Sequence, residues 1–214
     1  MSQYTILLGG ELVRTPALDR QIAGSRIIAA DSGIQHAHTL GLVPELWVGD
    51  FDSAPALLPP HLNSVPKRSF PVDKDSTDGE LAVEIALEKG AIRLVLAGAF
   101  GGARTDHAFL HLALGLRLAE KGIDVLLTSG TQEGRPLSRG CSTFDYAKGT
   151  LFSILGFSDL AGLSVRGAKW ELAAVNVPFG SSLTMSNEVL SQLTIELEQG
   201  CAMLLAHPLP EQGG

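Results

Sequence analysis

Positive charge is in short supply in this chain of 214 residues. Sixteen Lys and Arg stand against 23 Asp and Glu, for a net charge of −7. That balance argues against a dedicated nucleic-acid binder, which needs a basic footprint, while leaving room for a local basic pocket around a phosphate. Cysteine is scarcer still. The two present, Cys141 and Cys201, lie far apart without metal-ligand spacing and read as reduced thiols of an intracellular protein. Long apolar runs are missing as well. "AFLHLALGLRLA" is broken by His111 and Arg117 and falls short of the ~20 residues a membrane span needs. The N-terminal MSQYTILLGGELVR has neither the basic n-region nor the long apolar core of a secretory signal. The expectation is a cytoplasmic protein with no membrane and no nucleic-acid partner.

Several signature loops are also absent. No Gly-Lys dipeptide occurs, so there is no Walker A loop, and no G-x-G-x-x-G follows the first apolar run. H-E-x-x-H, C-x-x-C and G-x-S-x-G are missing. His36, His38 and His61 show no ligand spacing and read as surface or helix residues.

Apolar residues are plentiful, at 45% against 18% charged, enough for a sizeable core. In the first half, uninterrupted apolar runs alternate with helical patterns. "YTILL", "RIIAA", "LWVG", "IRLVLAG" and "IDVLLTS" read as strands covered on both faces, as in a parallel sheet. Thr77 and Glu80 form an S/T-x-x-E capping box opening a helix that stops at Gly90. A second helix is expected from about Thr105 to Gly122, apolar nearly all round and therefore buried. The alternation predicts a doubly wound, mostly parallel α/β domain over residues 1–130. "GTQEGRPLSRGCS" reads as a linker or exposed loop. Beyond it, "GTLFSILG", "LSVRGAKWEL", "SLTMS", "QLTIELEQG" and "CAMLLAHP" predict short strands, and residues 136–214 an all-β sandwich domain.

The candidate chemistry is acidic. Seven of the chain's eleven aspartates fall in four short stretches: Asp31 in "AADSG", Asp50 and Asp52 in "GDFDS", Asp73, Asp75 and Asp78 in "DKDSTD", and Asp106 in "ARTDH". Three stretches directly follow a predicted strand, and the strand C-terminal ends of an open α/β sheet form its ligand crevice. Converging carboxylates repel unless neutralised. Magnesium, a hard cation bound through one or two carboxylates plus substrate phosphates, is the expected answer. In an extended D-x-D the two acids point the same way, and Gly49 lets the backbone approach a ligand. Capping explains Thr77 and Glu80 without needing Asp73, Lys74 and Asp75; Lys74 reads as an ion-pair partner or as a cation aimed at a polyphosphate. The glycine-rich turn "GAFGGARTDH" offers backbone amides at Gly101 and Gly102 as an anion site, with Arg104 for a bidentate phosphate contact. Farther on, Trp170 reads as core packing and "SNE" as a turn.

In order and content these stretches resemble the thiamine pyrophosphokinase family: "ADSG", "GDFDS", "DKDSTD" and a glycine-rich R-x-D-H, with "GAKWEL" and "SNE" similar to that family's second-domain signature. The resemblance covers most of the chain, and the pairing of "GDFDS" with "KDSTD" is its specific element. Three departures stand out. Ala103 separates Gly102 from Arg104, His111 occupies a position where the family commonly has Asn, and "ADSG" replaces "ADGG".

The resemblance implies transfer of a pyrophosphoryl group from ATP to the hydroxyl of thiamine. It implies an α/β domain followed by a β-sandwich, working as a homodimer with ATP in the first domain and thiamine at the subunit interface. It implies Mg2+ on Asp50, Asp52 and Asp78, and nucleotide or supporting contacts from Asp31 and Asp75. Phosphate contacts fall to Lys74 and Arg104, orientation of the hydroxyl or of the metal's surroundings to Asp106, and thiamine contacts to Ser186 and Asn187. Two other readings stay open on the residues alone: a magnesium phosphohydrolase with an Asp nucleophile, and a nucleotide- or thiamine-binding sensor without turnover.

Overall fold

The computed structural model of the chain describes residues 2–51, 58–70 and 76–210. The chain divides into two compact units, Met1–Leu114 with Gly122–Gly130, and Gly115–Lys121 with Thr131–Gly214.

The first unit carries strands β1 (Ser2–Leu7), β2 (Arg26–Ala30), β3 (Leu46–Gly49), β4 (Lys67–Ser69), β5 (Ala91–Ala97) and β6 (Asp124–Thr128). They pair in the order β6-β5-β1-β2-β3-β4, every pairing parallel. Consecutive residues along β1, β2, β5 and β6 are buried, Tyr4 to Leu7 and Leu94 to Ala97 among them. That is why these strands read as continuous apolar runs rather than alternating ones. β4 is the exception. It is an exposed edge carrying Lys67 and Arg68, the sort of charge that discourages further strand pairing, and its polarity hid it from an apolar-run search.

Helices α1 (Pro16–Ile22), α2 (Ile34–Leu40), α3 (Asp78–Glu88) and α4 (Thr105–Glu120) connect the strands. The first two are a residue string of only two turns each, too short for periodicity to reveal, yet both have clear end signals. Thr15 accepts from the Leu18 amide and Pro16 follows it. Gly41 ends α2 at φ 68°. α3 starts at the expected capping box: Thr77 Oγ1 accepts from the Glu80 amide at 3.3 Å, and the Thr77 amide donates to Glu80 Oε2 at 3.1 Å. It packs over β1, β2, β3 and β5. α4 is less enclosed than its composition suggested, with Phe109 on its first turns 62% exposed.

β1 and β5 are neighbours, and the chain winds from β1 towards β2, β3 and β4 but from β5 towards β6. The connections after β1 and β5 therefore diverge and leave a crevice between them, the general ligand position in open α/β sheets. The two loops are tied at their base. The Gly10 amide donates to Gly98 O at 3.0 Å, and the Gly98 amide to Thr128 O at 2.9 Å.

The second unit contains β7 (Glu133–Leu137), β8 (Gly140–Phe144), β9 (Leu151–Gly156), β10 (Leu160–Ala168), β11 (Leu172–Val177), β12 (Asn187–Leu197) and β13 (Ala202–His207). All described pairings within it are antiparallel: β7 with β13, β13 with β9, β9 with β12, β12 with β8 and β10, and β10 with β11. β12 meets β9 only through Asn187 and Glu188 and gives the rest of its length to β10 and β8. Phe152, Ile154, Leu163, Val165, Leu193, Ile195 and Leu204 form the core. Two expectations are corrected. The linker-like "GTQEGRPLSRGCS" holds β7 and the start of β8, because β13 and β12 satisfy its backbone. "SLTMS" is a turn rather than a strand, docked on β9 by hydrogen bonds between Thr184 and Ile154.

The base of the crevice makes a stability prediction. Gly98 has φ 79°, and a Cβ there would collide with the Leu8 carbonyl. Gly98→Ala is expected to destabilise the protein by at least about 1–2 kcal/mol, read as a lower midpoint in urea unfolding at unchanged slope.

Candidate functional site

Two clefts deserve the name of site, one in each unit. The first, of about 290 Å³, is lined by Leu8, Gly9, Ala30, Asp31, Ser32, Thr77, Asp78, Gly79, Arg104, His107 and His111. It thus collects the ends of β1 and β2, the start of α3 and the start of α4. Asp31, Thr77, Asp78 and Arg104, dispersed in sequence, line one cavity.

Asp31 follows β2 directly in a turn with φ 45°. Its carbonyl accepts from Trp47 Nε1 at 2.9 Å, which anchors the turn to the buried indole of β3. Register pairs Ala30 with Val48, so Gly49 falls beside Asp31. A Cβ on Gly49 would stand 3.4 Å from Asp31 Cα, an ordinary van der Waals contact, so it is the strand register that brings the end of β3 alongside the Asp31 turn. The extended D-x-D geometry does not hold at the next residue. Phe51 has φ 65°, a left-handed conformation that is costly for a bulky side chain and is stabilised by its surroundings. Its ring packs edge-on against Trp47 at 4.8 Å, and Lys67 Nζ lies 4.6 Å from the Trp47 ring centre and 5.3 Å from that of Phe51. Asp52, Asp73, Lys74 and Asp75 lie outside the described residues.

Thr77 and Asp78 owe their place to the capping box. Gly79, one residue into α3, keeps the cleft wall thin, since a Cβ there would lie 3.0 Å from Leu8 Cδ2 and 3.8 Å from His111 Nε2. Arg104 is held from the other side. Its Nε donates to Asp106 Oδ1 at 3.0 Å and its NH2 group to Asp106 Oδ2 at 2.7 Å, a two-pronged pair in the open. The hydrogen bonds from Arg104 hold the Asp106 carboxyl well below the usual carboxylate range, and the same contact raises the guanidinium. Asp106 does not line the cleft, whereas Arg104 does.

Gly101 and Gly102 have φ 66° and 80°, as a glycine-rich turn requires. The Gly102 amide already faces an anion: it donates to Glu11 Oε1 at 3.4 Å, and Glu11 is bridged to Phe100. Sequence reasoning missed Glu11, because nothing local marks it. It also missed His36, whose Nε2 binds Gly10 O at 2.9 Å and whose pKa burial pushes down. His107 and His111 line the cleft at i,i+4 on α4, a spacing that was visible in the sequence.

The described donors fit a hard cation in kind. Asp31 and Asp78 line the same cavity, Asp50 follows the end of β3 that register sets beside the Asp31 turn, and all three offer carboxylate oxygen. Among the described residues no group of three His, Cys, Asp or Glu side chains stands close enough to hold a metal ion.

The second cleft, about 340 Å³, is mostly apolar: Phe152, Ile154, Val165, Trp170, Leu172, Leu183, Thr184, Met185 and Asn187. Asn187 is 7% exposed. Its Oδ1 accepts from the amides of Trp170 at 3.1 Å and Glu188 at 2.9 Å, and its Nδ2 donates to Trp170 O at 2.8 Å. Both acceptor sites are used, one amide hydrogen is left over, and the result is a fixed backbone at Trp170, whose ring is 55% exposed. Ser186 sits at φ 57° with its amide donating to Ser153 Oγ at 3.0 Å; it neighbours this cleft without lining it.

Comparison with known proteins agrees with this division. The model of the thiamin pyrophosphokinase catalytic domain matches residues 22–127, and that of the thiamin pyrophosphokinase vitamin B1 binding domain matches residues 142–202. A thiamine pyrophosphokinase of Bacillus subtilis is 28% identical over 195 residues, covering 83% of this chain and 85% of that protein. Among solved structures, the thiamine pyrophosphokinase of Bacillus subtilis aligns with TM-score 0.83 at 23% identity, covering 97% of this chain and all of that one. The thiamin pyrophosphokinase of Candida albicans aligns with TM-score 0.81 at 13% identity, over 97% of this chain and 89% of that one. These two structural likenesses speak to the fold.

The Arg104–Asp106 pair makes a pH prediction. A carboxyl whose folded pKa is depressed keeps its partner down to the folded value and loses it only as pH falls through that value. The Asp106 carboxyl, followed by carbon-detected NMR, is expected to titrate below the ordinary aspartate range and to return towards it in Arg104→Met.

Proposed function

The chain belongs to the thiamin pyrophosphokinase family, and we propose from that premise that it transfers the pyrophosphoryl group of ATP to the hydroxyl of thiamine, releasing AMP and thiamine diphosphate. The carrying observation is that the two family matches each contain the greater part of one cleft, a polar one within residues 22–127 and an apolar one within 142–202. In the fuller reading, residues 1–130 are the catalytic domain for ATP and Mg2+. Residues 136–214 are a β-sandwich that binds thiamine and joins two chains into a homodimer.

In the reaction the thiamine oxygen bonds to the β-phosphorus of ATP while the bond from that phosphorus to the α,β-bridging oxygen breaks. AMP leaves with the bridging oxygen, and the hydroxyl proton is released. Such transfer depends on positioning and on charge stabilisation more than on covalent chemistry by the protein. Arg104 takes up phosphate oxygens with the N–H groups that Asp106 does not use, and Asp106 keeps the guanidinium at the rim of the cleft. On this reading Asp106 acts through Arg104 rather than on the attacking hydroxyl. Thr77 lines the cleft at the start of α3 with its own amide spent on Glu80, the Gly79 amide behind it supports phosphate, and Gly101 and Gly102 extend that support where Glu11 now sits. Asp31 contacts the nucleotide or steadies the acids beside it. Lys74 and Asp75 belong to the same reading as phosphate and nucleotide contacts.

Magnesium would be held by Asp50, Asp52 and Asp78, and when bound it supplies positive charge that offsets the polyphosphate and the departing AMP. In the second cleft the apolar walls and the exposed face of Trp170 suit an aromatic heterocycle. Asn187 offers its remaining amide hydrogen and Ser186 its hydroxyl at the edge.

Purified protein given thiamine, ATP and magnesium is expected to yield AMP and thiamine diphosphate in equal amounts, and none when the metal is chelated. A folded protein that forms neither product in the complete mixture refutes the assignment. Asp50→Asn is expected to lose about 2–4 kcal/mol of transition-state stabilisation, roughly 30- to 1000-fold in rate. An unchanged turnover removes Asp50 from the site.

A further inference from the structure

His111 is the one buried titratable group of the first cleft that the reaction as described leaves without a task. It is 8% exposed. Its Nδ1 lies 3.1 Å from Ala99 O. A carbonyl only accepts, so Nδ1 carries the hydrogen and donates it, and in the neutral ring Nε2 is then a bare lone pair. Burial is the main cause that lowers the pKa of this imidazole, with His107 acting in the same sense, which favours the neutral ring.

Nε2 points towards space that Gly79 leaves open. A Cβ there would stand 3.8 Å from Nε2, and both residues line the cleft with Arg104 and Asp78. No described residue donates a hydrogen bond to Nε2. Nε2 does not count among the described buried polar atoms that lack a partner, and His111 lines the cleft, so a donor entering the cleft can reach this lone pair. Phosphate oxygens cannot serve, since they are acceptors themselves and a lone pair repels them. A hydroxyl can.

We propose that Nε2 of His111 accepts a hydrogen bond from a hydroxyl of a bound substrate, making His111 a specificity-determining residue of this cleft. This deepens the pyrophosphokinase reading and rests on it for the identity of the substrates. The hydroxyl has two sources, the ribose of the nucleotide or the alcohol of thiamine. The difference in reach between an imidazole and an amide side chain supplies the test. An Asn amide superposes on Nδ1 and can keep the bond to Ala99 O, but it does not extend to Nε2. A Gln amide reaches the Nε2 position and gives up the bond to Ala99.

The experiment measures calorimetric binding of ATP, 2′-deoxy-ATP and 3′-deoxy-ATP to the parent protein, His111→Asn and His111→Gln, with steady-state kinetics for thiamine and a melting curve for each. If the donor is a ribose hydroxyl, His111→Asn weakens ATP by about five- to tenfold, the worth of one hydrogen bond. The analogue lacking that hydroxyl then binds parent and variant alike, and His111→Gln recovers discrimination despite a lower melting temperature. If the donor is the thiamine alcohol, the three nucleotides bind every protein equally, while His111→Asn changes the thiamine kinetics and His111→Gln restores them. His111→Asn that matches the parent with every ligand overturns the proposal. So do losses that follow the melting temperature alone and are equal for all three nucleotides. Should His111→Asn fail to fold, His111→Ala takes its place, since it too removes the Nε2 acceptor: equal affinity of the parent for all three nucleotides together with thiamine kinetics unchanged in His111→Ala overturns it. Discriminating nucleotide binding by a parent protein that forms no thiamine diphosphate would instead refute the reaction and leave the role of His111 standing.

Discussion

The close approach of two loops at Gly98 is the constraint on which the polar cleft depends. Parallel strands β1 and β5 lie side by side, and their onward connections diverge. The gap stays open at the top only because it is sewn shut at the bottom, by the Gly10–Gly98 and Gly98–Thr128 hydrogen bonds. A side chain at Gly98 would force the loops apart. His36 reinforces the same seam from α2 through Gly10 O, so a histidine with no ligand spacing proves to be part of the frame. Above the seam, each acid or cation is supplied by a different element and set by a local device: a left-handed turn at Asp31, a capping box at Thr77, an ion pair at Arg104.

Much of the first unit was legible in the sequence because its strands are buried on both faces. β2 and β3 begin and end where "RIIAA" and "LWVG" begin and end. α3 was legible through its cap rather than its periodicity. What escaped was short or paired at a distance. Two-turn helices offer too few residues for a stripe, and β4 is polar because it is an edge. β7 and β8 gain their structure from β13 and β12, 65 to 73 residues away along the chain in the first case, and a Gly- and Pro-bearing run carries no trace of such partners.

The site was legible by residue type and less so by role. Asp31, Asp78 and Arg104 line one cavity, and of the three only Asp31 is an acid directly after a predicted strand. The extended backbone expected through "GDFDS" does not hold at Phe51, which is left-handed, and Asp52 lies outside the described residues. Local spacing also could not reveal that Glu11 comes from 91 residues away to meet the glycine turn, or that Asn187 spends most of its amide on the backbone of Trp170. In each case the partner lies in another element, and only the fold supplies it. The histidine pair on α4 is different, since its i,i+4 spacing was in plain view and lacked only a reason to matter.

The two tryptophans of the chain have a consequence of their own. Trp47 is 1% exposed, bonded to the carbonyl of Asp31 and capped by Phe51 and Lys67; Trp170 is 55% exposed and stands in the apolar cleft. One indole therefore emits from a dry, polar-anchored setting behind the acidic turn, and the other from a wet one. Trp47 stands behind the Asp31 turn without lining the polar cleft, so it is the red-shifted emission of Trp170, set apart from that of the buried indole, that can follow occupancy of the apolar cleft without any label.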